Sequence, residues 1–370
     1  MKTMLKVQQF ILENKEWEQL LASTPYHIRM KHSYEDGHDL VLFNYTQGLS
    51  ECCDITNECR SLVLDITDNA KVVRYGFYRF YNYGEPNAVA LGSKLSTTEK
   101  IDGSLIFIYY YNNRWRIGTR SSFEADKDKP SGCSDLKNMR RMYKQVKQYI
   151  DTNGRWTLDD LNKNCTYCFE FVSPDFQIIV PYNSVCLYFL MCRDNETLEE
   201  VSSDVNFMRP ETYEFTDLKS IEDYVSKFNA LEFEGIVVMD ENHNRVKVKN
   251  LNWLELHYLY NNGQFSDRYI IKLYFDNDYE ELLSYFPNLR DRFDRVVGRY
   301  NQIKQCAKIL DTANWEDHYT KKQLYDLVND KVTHRGFQMM IFKSYDHRAY
   351  DWFCWLDEHW YCRYFGDKEE

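Results

Sequence analysis

The sequence lacks any apolar run of about 18 residues, and its N-terminus has no hydrophobic segment of the kind found in signal peptides. We therefore expect no membrane span and no leader, and a cytoplasmic protein, in the host cell if the source is viral. Cations are not in excess either, because 57 acidic residues outnumber 46 basic ones and the net charge is −11. This balance argues against a protein that coats nucleic acid, although a local basic groove would suffice to hold one RNA end.

Regular cysteine spacing is absent too. The 11 cysteines are scattered and odd in number, which favours reduced thiols over a disulfide framework. Cys165 and Cys168 form a C-x2-C pair, but no second pair follows at zinc-finger spacing, so buried thiols are favoured over a zinc site. For Cys354, His359 and Cys362, helix packing and a metal site are equally good interpretations.

No repeat and no low-complexity linker divides the 370 residues, a length that favours two domains sharing a cleft. Apolar spacing predicts helix within 5–22, and the chain from about 40 to 250 is rich in strand signals. The clearest hairpin joins Leu105–Tyr111 to Trp115–Thr119 through Asn112-Asn113. Further strand candidates are Leu62–Ile66, Tyr167–Val172, Val185–Cys192, Gly235–Met239 and Arg245–Val248.

Two helices interrupt the predicted strands, Lys137–Ile150 and Ser220–Phe228, and the second opens with a Ser220-x-x-Asp223 capping signature. After Trp253 the strand signals fade. Amphipathic helices are predicted there at Glu280–Ser284, Arg290–Leu310, Lys321–Val328 and Phe337–Tyr345. The change of character predicts a domain boundary near residue 255.

The sharpest chemical signal is Lys100-Ile101-Asp102-Gly103, immediately before the first strand of the hairpin. A lysine that attacks a phosphoryl group must be unprotonated, and desolvation or nearby cations can lower its pKa. Asp102 would orient the amine or hold structure, and Gly103 would let the backbone turn tightly beside a ligand. Alone the pattern is weak, because Asp-Gly usually marks an ordinary turn.

Four further charged residues strengthen this signal: Glu170, Glu234, Lys247 and Lys249, each flanked by apolar strand residues. One interpretation is that such side chains point to solvent from a half-buried sheet. That interpretation does not explain two lysines on one face of a strand together with two carboxylates and a loop lysine. Two cations and a metal-binding carboxylate are what an ATP triphosphate requires during attack at its α-phosphorus.

In this order and spacing the elements resemble the covalent nucleotidyltransferases, and most closely the RNA ligase 1 group of T-even phages. The resemblance includes Glu58-Cys59-Arg60-Ser61, Arg79-Phe80-Tyr81-Asn82 and Thr119-Arg120-Ser121-Ser122. It implies an α+β fold in which an antiparallel-sheet nucleotidyltransferase (adenylation) domain, 1–255, precedes an all-helical C-terminal domain, 256–370. The helical part resembles the group in size and character alone.

The resemblance also implies roles for individual residues. Lys100 would be the adenylylated nucleophile, and Glu234 would bind or position a divalent metal, Mg²⁺ or Mn²⁺. The remaining roles are a phosphate contact by Arg60, a sugar contact by Glu170, a triphosphate site at Lys247 and Lys249, positions near the nucleotide for Arg79 and Tyr81, and a basic residue after the hairpin at Arg120. The chain departs from the group's usual residues at Ile101, Arg79, Ser61 and Ser121. None of these departures removes a reacting group.

The activity implied is ATP-dependent joining of RNA 5′-phosphate and 3′-OH ends through a lysyl-AMP and an adenylylated RNA, as in repair of cleaved tRNA. A DNA ligase or capping enzyme is an alternative, but the chain after Trp253 lacks the short alternating strands of an OB-fold. A non-catalytic RNA-end-binding protein of the same fold is another. Retention of the charged residues argues against it.

A further candidate RNA surface has cations at three- and four-residue steps on one helical face: Lys137, Arg140, Arg141, Lys144 and Lys147. A solvated helix face is the alternative interpretation, and the sequence favours it. Trp352, Trp355 and Trp360 would either select an RNA or pack in a core.

Overall fold

This computed structural model describes residues 4–47, 49–124, 136–260 and 289–312, together with positions 270, 271, 273, 274, 279, 280, 283, 320, 322, 323, 325 and 326. The chain forms two compact units, Met1–His257 and Tyr258–Glu370. The domains 1–255 and 256–370 stay a prediction, because a compact unit is defined by contacts and a domain by its ability to fold alone.

The fold is mixed α+β. Its described strands are β1 (Ile28–Glu35), β2 (His38–Tyr45), β3 (Arg60–Asp65), β4 (Lys71–Arg74), β5 (Tyr81–Asn82), β6 (Ser96–Glu99), β7 (Ser104–Tyr111), β8 (Arg114–Thr119), β9 (Cys165–Val172), β10 (Cys186–Asp194), β11 (Glu200–Val201), β12 (Thr212–Tyr213), β13 (Gly235–Met239) and β14 (Arg245–Lys249). Its described helices are α1 (Lys6–Glu13), α2 (Trp17–Ala22), α3 (Asp54–Glu58), α4 (Leu136–Thr152), α5 (Leu218–Val225), α6 (Leu251–Tyr260) and α7 (Arg290–Thr312). Each strand candidate from the sequence is confirmed within two residues at either end.

The strands form three sheets. Sheet 1 has the order β1-β2-β3-β4, sheet 2 the order β11-β10-β9-β7-β8, and sheet 3 the order β12-β6-β13-β14-β5. The pairs are antiparallel as expected, except that β5 runs parallel to β14 at an edge of sheet 3. This exception involves a two-residue strand, too short to show a periodic pattern in the sequence.

The β1–β2 hairpin was not among the strand candidates. Its turn is Asp36-Gly37, where both residues have positive φ, 48° and 85°. Asp-Gly is a favoured dipeptide for two-residue hairpin turns, so the signal was present in the sequence. Charged and histidine residues lie on both faces of these strands, for example Lys31 on one face and His32 on the other, so the strands show no clean alternation.

The core is divided among the faces of the sheets. Sheets 1 and 2 pack face to face through residues such as Leu42, Val63, Phe107 and Met191. The opposite face of sheet 2 packs against α4, and sheet 3 packs against α5. Sheet 2 is therefore covered on both faces, and a charged side chain on its central strands cannot simply point to solvent.

Two helix boundaries differ from the prediction. The segment 5–22 breaks into α1 and α2, because the Asn14 side chain donates a 2.8 Å hydrogen bond to the Phe10 carbonyl and ends the first helix. The α5 N-cap is Asp217, whose carboxylate accepts from the Ser220 amide at 2.8 Å. The Ser220-x-x-Asp223 cap was therefore wrong, since a carboxylate three residues earlier takes that position.

The described residues of the second unit include α7, which confirms the predicted helix Arg290–Leu310. The predicted Phe337–Tyr345 helix, the Cys354, His359, Cys362 group and Trp352, Trp355 and Trp360 lie outside the described residues. Glu280–Ser284 and Lys321–Val328 are described only at single positions. The all-helical C-terminal domain thus stays a prediction. In the part of the chain described, no helix is long and apolar enough to cross a membrane.

The C-x2-C pair is not arranged as a metal site. Cys165 packs in the core between sheet 2 and α4, and Cys168 packs in the core between sheets 1 and 2. The two thiols lie on opposite faces of β9, as residues three apart in a strand must. This agrees with the interpretation as buried small side chains.

Candidate active site

Lys100 lies in the link between β6 of sheet 3 and β7 of sheet 2. Its backbone N–H donates a 2.8 Å hydrogen bond to the Gly235 carbonyl, which fixes the link against β13. Its Nζ lies 2.6 Å from Oε1 of Glu234, whose side chain is 3% exposed, whereas that of Lys100 is 23% exposed. An accessible amine therefore lies beside a buried carboxylate.

Glu170 and Glu234 flank this lysine from different sheets. Burial raises the pKa of Glu170 to about 8, and the negative charge of Glu234 adds to the increase while Lys100 opposes it. Burial likewise raises the pKa of Glu234, against the attraction of Lys100 and Lys249. A carboxylate whose ionisation is opposed both by burial and by a neighbouring carboxylate would be stabilised by a further cation.

The orientation of Glu170 follows from the alternation of β9. Phe169 and Phe171 point into the core against α4. Glu170 therefore lies on the other face, where it is half-buried among ionisable groups that include Lys100 and Arg60. The solvent-facing interpretation of this glutamate is wrong.

Asp102 has a structural position. Its Oδ2 accepts three hydrogen bonds, from the amides of Ile179 (2.8 Å) and Val180 (2.7 Å) and from Nε1 of Trp253 (3.1 Å). Of the two roles expected for Asp102, the contacts favour holding structure, because this oxygen ties the Lys100 loop to two other segments. In the sequence, Trp253 marked only the point after which strand signals fade.

Two glycines are required by close backbone approach. A Cβ on Gly103 would lie 2.4 Å from the Phe171 carbonyl oxygen, so the loop packs directly on β9. The sequence predicted that Gly103 allows a tight turn beside a ligand. In the structure, the glycine is required because the loop packs on the neighbouring strand. Gly235 has a φ of +154°, and a Cβ there would lie 2.2 Å from the Val248 carbonyl oxygen.

Lys247 and Lys249 share the face of β14 that points away from the core. Val246 and Val248 alternate with them and pack against α5. The Lys247 ammonium lies 5.2 Å from the centre of the Phe80 ring, and that of Lys249 lies 5.2 Å from the Trp253 ring. Aromatic faces therefore hold both cations in position.

Arg60 begins β3 and lies over Phe77 and Phe80, at 5.3 and 4.9 Å from the ring centres. Burial lowers the pKa of its guanidinium, and Glu170 partly offsets that effect. Its buried Nη1 has no hydrogen-bond partner among the described residues. A buried donor without a partner is costly, and an anionic ligand would satisfy it.

The positions of Arg79 and Tyr81 near the nucleotide stay a prediction. Arg79 is buried, with its guanidinium 4.1 Å from the Tyr45 ring and 4.8 Å from the Tyr81 ring. Arg79 and Tyr81 line a cavity of about 800 Å³ whose wall does not include Lys100, Glu170 or Glu234.

Arg120 follows the hairpin, as expected, and lies 5.1 Å from the same Tyr45 ring. Tyr45 is thus shared by two arginines. Sequence reasoning missed it, and no motif identified it: the available signal was the high proportion of aromatic residues, which does not say which rings carry cations.

The described part of the chain contains no group of three or more His, Cys, Asp or Glu side chains arranged to hold a metal. Glu170 and Glu234 supply two carboxylates. Mg²⁺ is commonly bound by one or two carboxylates, with waters and substrate phosphates completing its shell. The residues present therefore fit a divalent ion that arrives together with a phosphate ligand.

Comparison with known proteins agrees with this arrangement. Residues 58–279, more than half of the chain, match the family described as RNA ligase, of the T4 ligase 1 type. A protein of Autographa californica nuclear polyhedrosis virus, named as a candidate bifunctional polynucleotide kinase/RNA ligase, is 29% identical over 292 residues, 74% of this chain and 41% of that protein. An RNA ligase of Rhodothermus phage RM378 is 28% identical over 170 residues, 39% of each chain.

An archaeal ATP-dependent RNA ligase of known structure has a TM-score of 0.45 and 12% identity, over 78% of this chain and 79% of that one. This likeness is too low to support an assignment, which rests on the family match. The chain spans about two fifths of the length of the curated relatives it matches. By the match over 58–279, the chain belongs to the RNA ligase family, in the phage RNA ligase 1 group.

Proposed function

We propose that this chain is an ATP-dependent RNA ligase that works through a lysyl-AMP at Lys100. The observation that carries the proposal is the pairing of Lys100 with Glu234 at 2.6 Å beside Glu170, in a protein of the RNA ligase family. An amine nucleophile, two carboxylates and nearby cations are the groups that nucleotidyl transfer requires.

In the first step, Lys100 Nζ attacks the α-phosphorus of ATP. A P–N bond forms, the bond from the α-phosphorus to the bridging oxygen breaks, and pyrophosphate leaves with that electron pair. The amine must lose a proton for attack, and the adjacent Glu234 carboxylate would accept it. Lys247, Lys249 and Arg60 would stabilise the charge that develops on the phosphate oxygens.

Glu234 and Glu170 would hold the divalent cation, Mg²⁺ or Mn²⁺. When bound, such an ion neutralises phosphate charge and polarises the phosphorus for attack. The two carboxylates would also have separate roles. Glu234 would orient the amine, and Glu170, in sheet 2, would accept a hydrogen bond from a ribose hydroxyl.

Two displacements at phosphorus complete the proposed reaction. The 5′-phosphate of an RNA attacks the lysyl-AMP, forming an adenylylated RNA and freeing Lys100. The 3′-OH of a second end then attacks the 5′-phosphorus, a phosphodiester bond forms and AMP leaves. Broken RNA with these ends is the proposed substrate class, and cleaved tRNA is the member of it that the family resemblance implies.

The test is mass spectrometry of the purified protein after incubation with ATP and Mg²⁺. We expect the mass to increase by one AMP, and the gain to be lost in Lys100→Ala and kept in Lys94→Ala, an exposed lysine in the strand-rich unit. Equal labelling by GTP would contradict ATP as the donor. Labelling of Lys100→Ala would rule out this nucleophile.

A second measurement separates the steps. Lys100→Ala should fail to join ordinary 5′-phosphate RNA but should still join RNA that already carries 5′-AMP, because the last displacement needs no lysine nucleophile. Loss of both reactions together with a lower melting temperature would instead indicate a packing role for Lys100.

A further inference from the structure

One face of α4 carries exposed cations that no described residue neutralises. Arg140, Lys144 and Lys147 are all exposed and lie three or four residues apart, on one side of the helix. Among the described residues, no carboxylate is within ion-pair distance of any of the three. Their neighbour Arg141 differs, since it pairs with Asp175 at 2.7 Å.

This arrangement is unfavourable for the helix itself. Like charges three and four residues apart repel each other by a few tenths of a kcal/mol per pair. The series Arg140, Lys144, Lys147 contains two such pairs and no intervening acid, and the next acid on this face is Asp151, one turn beyond Lys147. Acidic residues are available, because the chain contains 57 of them against 46 bases. The stretch from Arg140 to Lys147 is therefore positive where stability alone would favour mixed charges, which points to an anionic partner.

The opposite face of α4 fixes its position relative to the nucleophile. Tyr149 packs in a small cluster with Ile101, the residue after Lys100. Gln145 accepts from the Ser173 hydroxyl at 2.7 Å and donates to Asp175 at 2.5 Å, which anchors the helix to the segment after β9.

That segment continues to Ile179 and Val180, whose amides bind Asp102 in the nucleophile's loop. A chain of direct contacts thus connects α4 to the loop of Lys100. The three cations are presented from an element that borders the candidate active site.

We propose that the α4 face of Arg140, Lys144 and Lys147 binds the phosphate backbone of the RNA substrate beyond the reacting end. This proposal rests on the proposed function. Arg140 and Lys147 are separated by about 10 Å along the helix axis, a length over which each strand of a nucleic-acid duplex presents about three phosphates. The contact is to phosphates, so it carries affinity and orientation and no base sequence.

The test is a triple variant, Arg140→Gln, Lys144→Gln and Lys147→Gln. Its matched control is Lys15→Gln, Lys94→Gln and Lys227→Gln, which removes the same charge from three exposed positions elsewhere. RNA binding is measured by fluorescence anisotropy with a 5′-phosphorylated oligonucleotide over a series of salt concentrations. Self-adenylylation with ATP and the melting temperature are measured beside it.

We expect the α4 variant to bind RNA about tenfold more weakly at low salt. The slope of log K against log salt is negative, and its magnitude should decrease by about 2, because each lost single-strand phosphate contact contributes about 0.7. The KM for RNA should rise while ATP labelling stays unchanged. Its melting temperature should be no lower than that of the wild type, since neutralisation removes repulsion.

Equal affinity and equal salt slope in the α4 and control variants would overturn the proposal. So would a lowered melting temperature with unchanged RNA binding, which would show that the cations serve the fold. Failure of the ligase assignment looks different: the wild type itself would not gain AMP from ATP, whereas the binding comparison needs no catalysis and would still decide the role of α4.

Discussion

The Lys100 ammonium nitrogen lies 2.6 Å from Oε1 of Glu234. In this pair the nitrogen is a hydrogen-bond donor, and it gains a lone pair for attack only when a proton leaves. The pair therefore represents the site before ATP binds. When ATP and a divalent ion bind, we expect the Glu234 carboxylate to exchange its contact with the Lys100 amine for a contact with the ion. One carboxylate would then serve both the amine and the metal.

Glu234→Gln tests that double role. The amide keeps the shape and loses the charge, so we expect self-adenylylation to fall by about 100-fold or more. Joining of pre-adenylylated RNA should fall as well, since that step also needs the metal. Glu232→Gln, an exposed glutamate two residues away, is the control. A variant that lost labelling but joined pre-adenylylated RNA normally would limit Glu234 to the amine.

Lys247→Ala and Lys249→Ala should each slow adenylylation by about 100- to 1,000-fold, corresponding to ~2.7–4 kcal/mol of transition-state stabilisation in a dry site. The expected loss is in the rate at saturating ATP, measured by quenched labelling with α-labelled ATP. Lys94→Ala is the matched exposed lysine. Near-normal rates in both variants would show that the cations on β14 do not contact the reacting phosphates.

Ser61 has a φ of +63° and is fully buried. Its hydroxyl donates a 3.1 Å hydrogen bond to the Arg120 carbonyl. Ser61→Gly removes backbone strain and also loses that hydrogen bond, so its two effects on the free energy of unfolding nearly cancel. Ser61→Ala keeps the strain and loses the bond, so it should be less stable than the Gly variant by about 1 kcal/mol. Urea unfolding of the two variants decides this, and a more stable Ala variant would refute it.

Glu58 predicts a pH dependence of stability. Its carboxylate accepts from the amides of Lys6 and Val7, at 3.0 and 2.9 Å, at the N-terminus of α1. Burial nevertheless raises the pKa of Glu58 to about 7 from its ordinary value of 4.5. The folded state therefore binds the proton more tightly, and stability falls as pH rises from about 4.5 to about 7.

Glu58→Gln removes this titration. Relative to the variant, the wild type should lose on the order of 2 kcal/mol of unfolding free energy between pH 4.5 and 8. The measurement is urea unfolding of both proteins at several pH values. A difference between them that does not change with pH would show that Glu58 ionises normally in the fold.

The strands were predictable where apolar and aromatic residues form a continuous run bounded by turns. Gly235–Met239 and Leu105–Tyr111 are such runs, and they form the strands expected. The β1–β2 hairpin was missed because charged and histidine residues occur on both faces of its strands, although Asp36-Gly37 marked the turn. Local patterns show that a strand exists; they do not show what covers each of its faces.

The arrangement of the candidate site was predictable in part. The proposed roles of Lys100 and Glu234 follow from residue type and motif order, and the two side chains are in direct contact. The position of Glu170 depends on α4 covering the other face of β9, which no local pattern indicates. Trp253 contacts Asp102 across more than a hundred residues of sequence, and Tyr45 contacts Arg79 across about thirty. Neither contact could be predicted from the spacing of residues in the sequence.

The placement of cations on aromatic rings has a consequence for an acidic protein. Within the described residues, none of Arg60, Arg79 and Arg120 pairs with a carboxylate, and each lies over a Phe or Tyr ring. A carboxylate would have cancelled the charge of its arginine, and an incoming polyanion would have had to displace it. A π face attracts the guanidinium without neutralising it, so the positive potential persists. A chain with a net charge of −11 can in this way keep a positive potential around these three arginines.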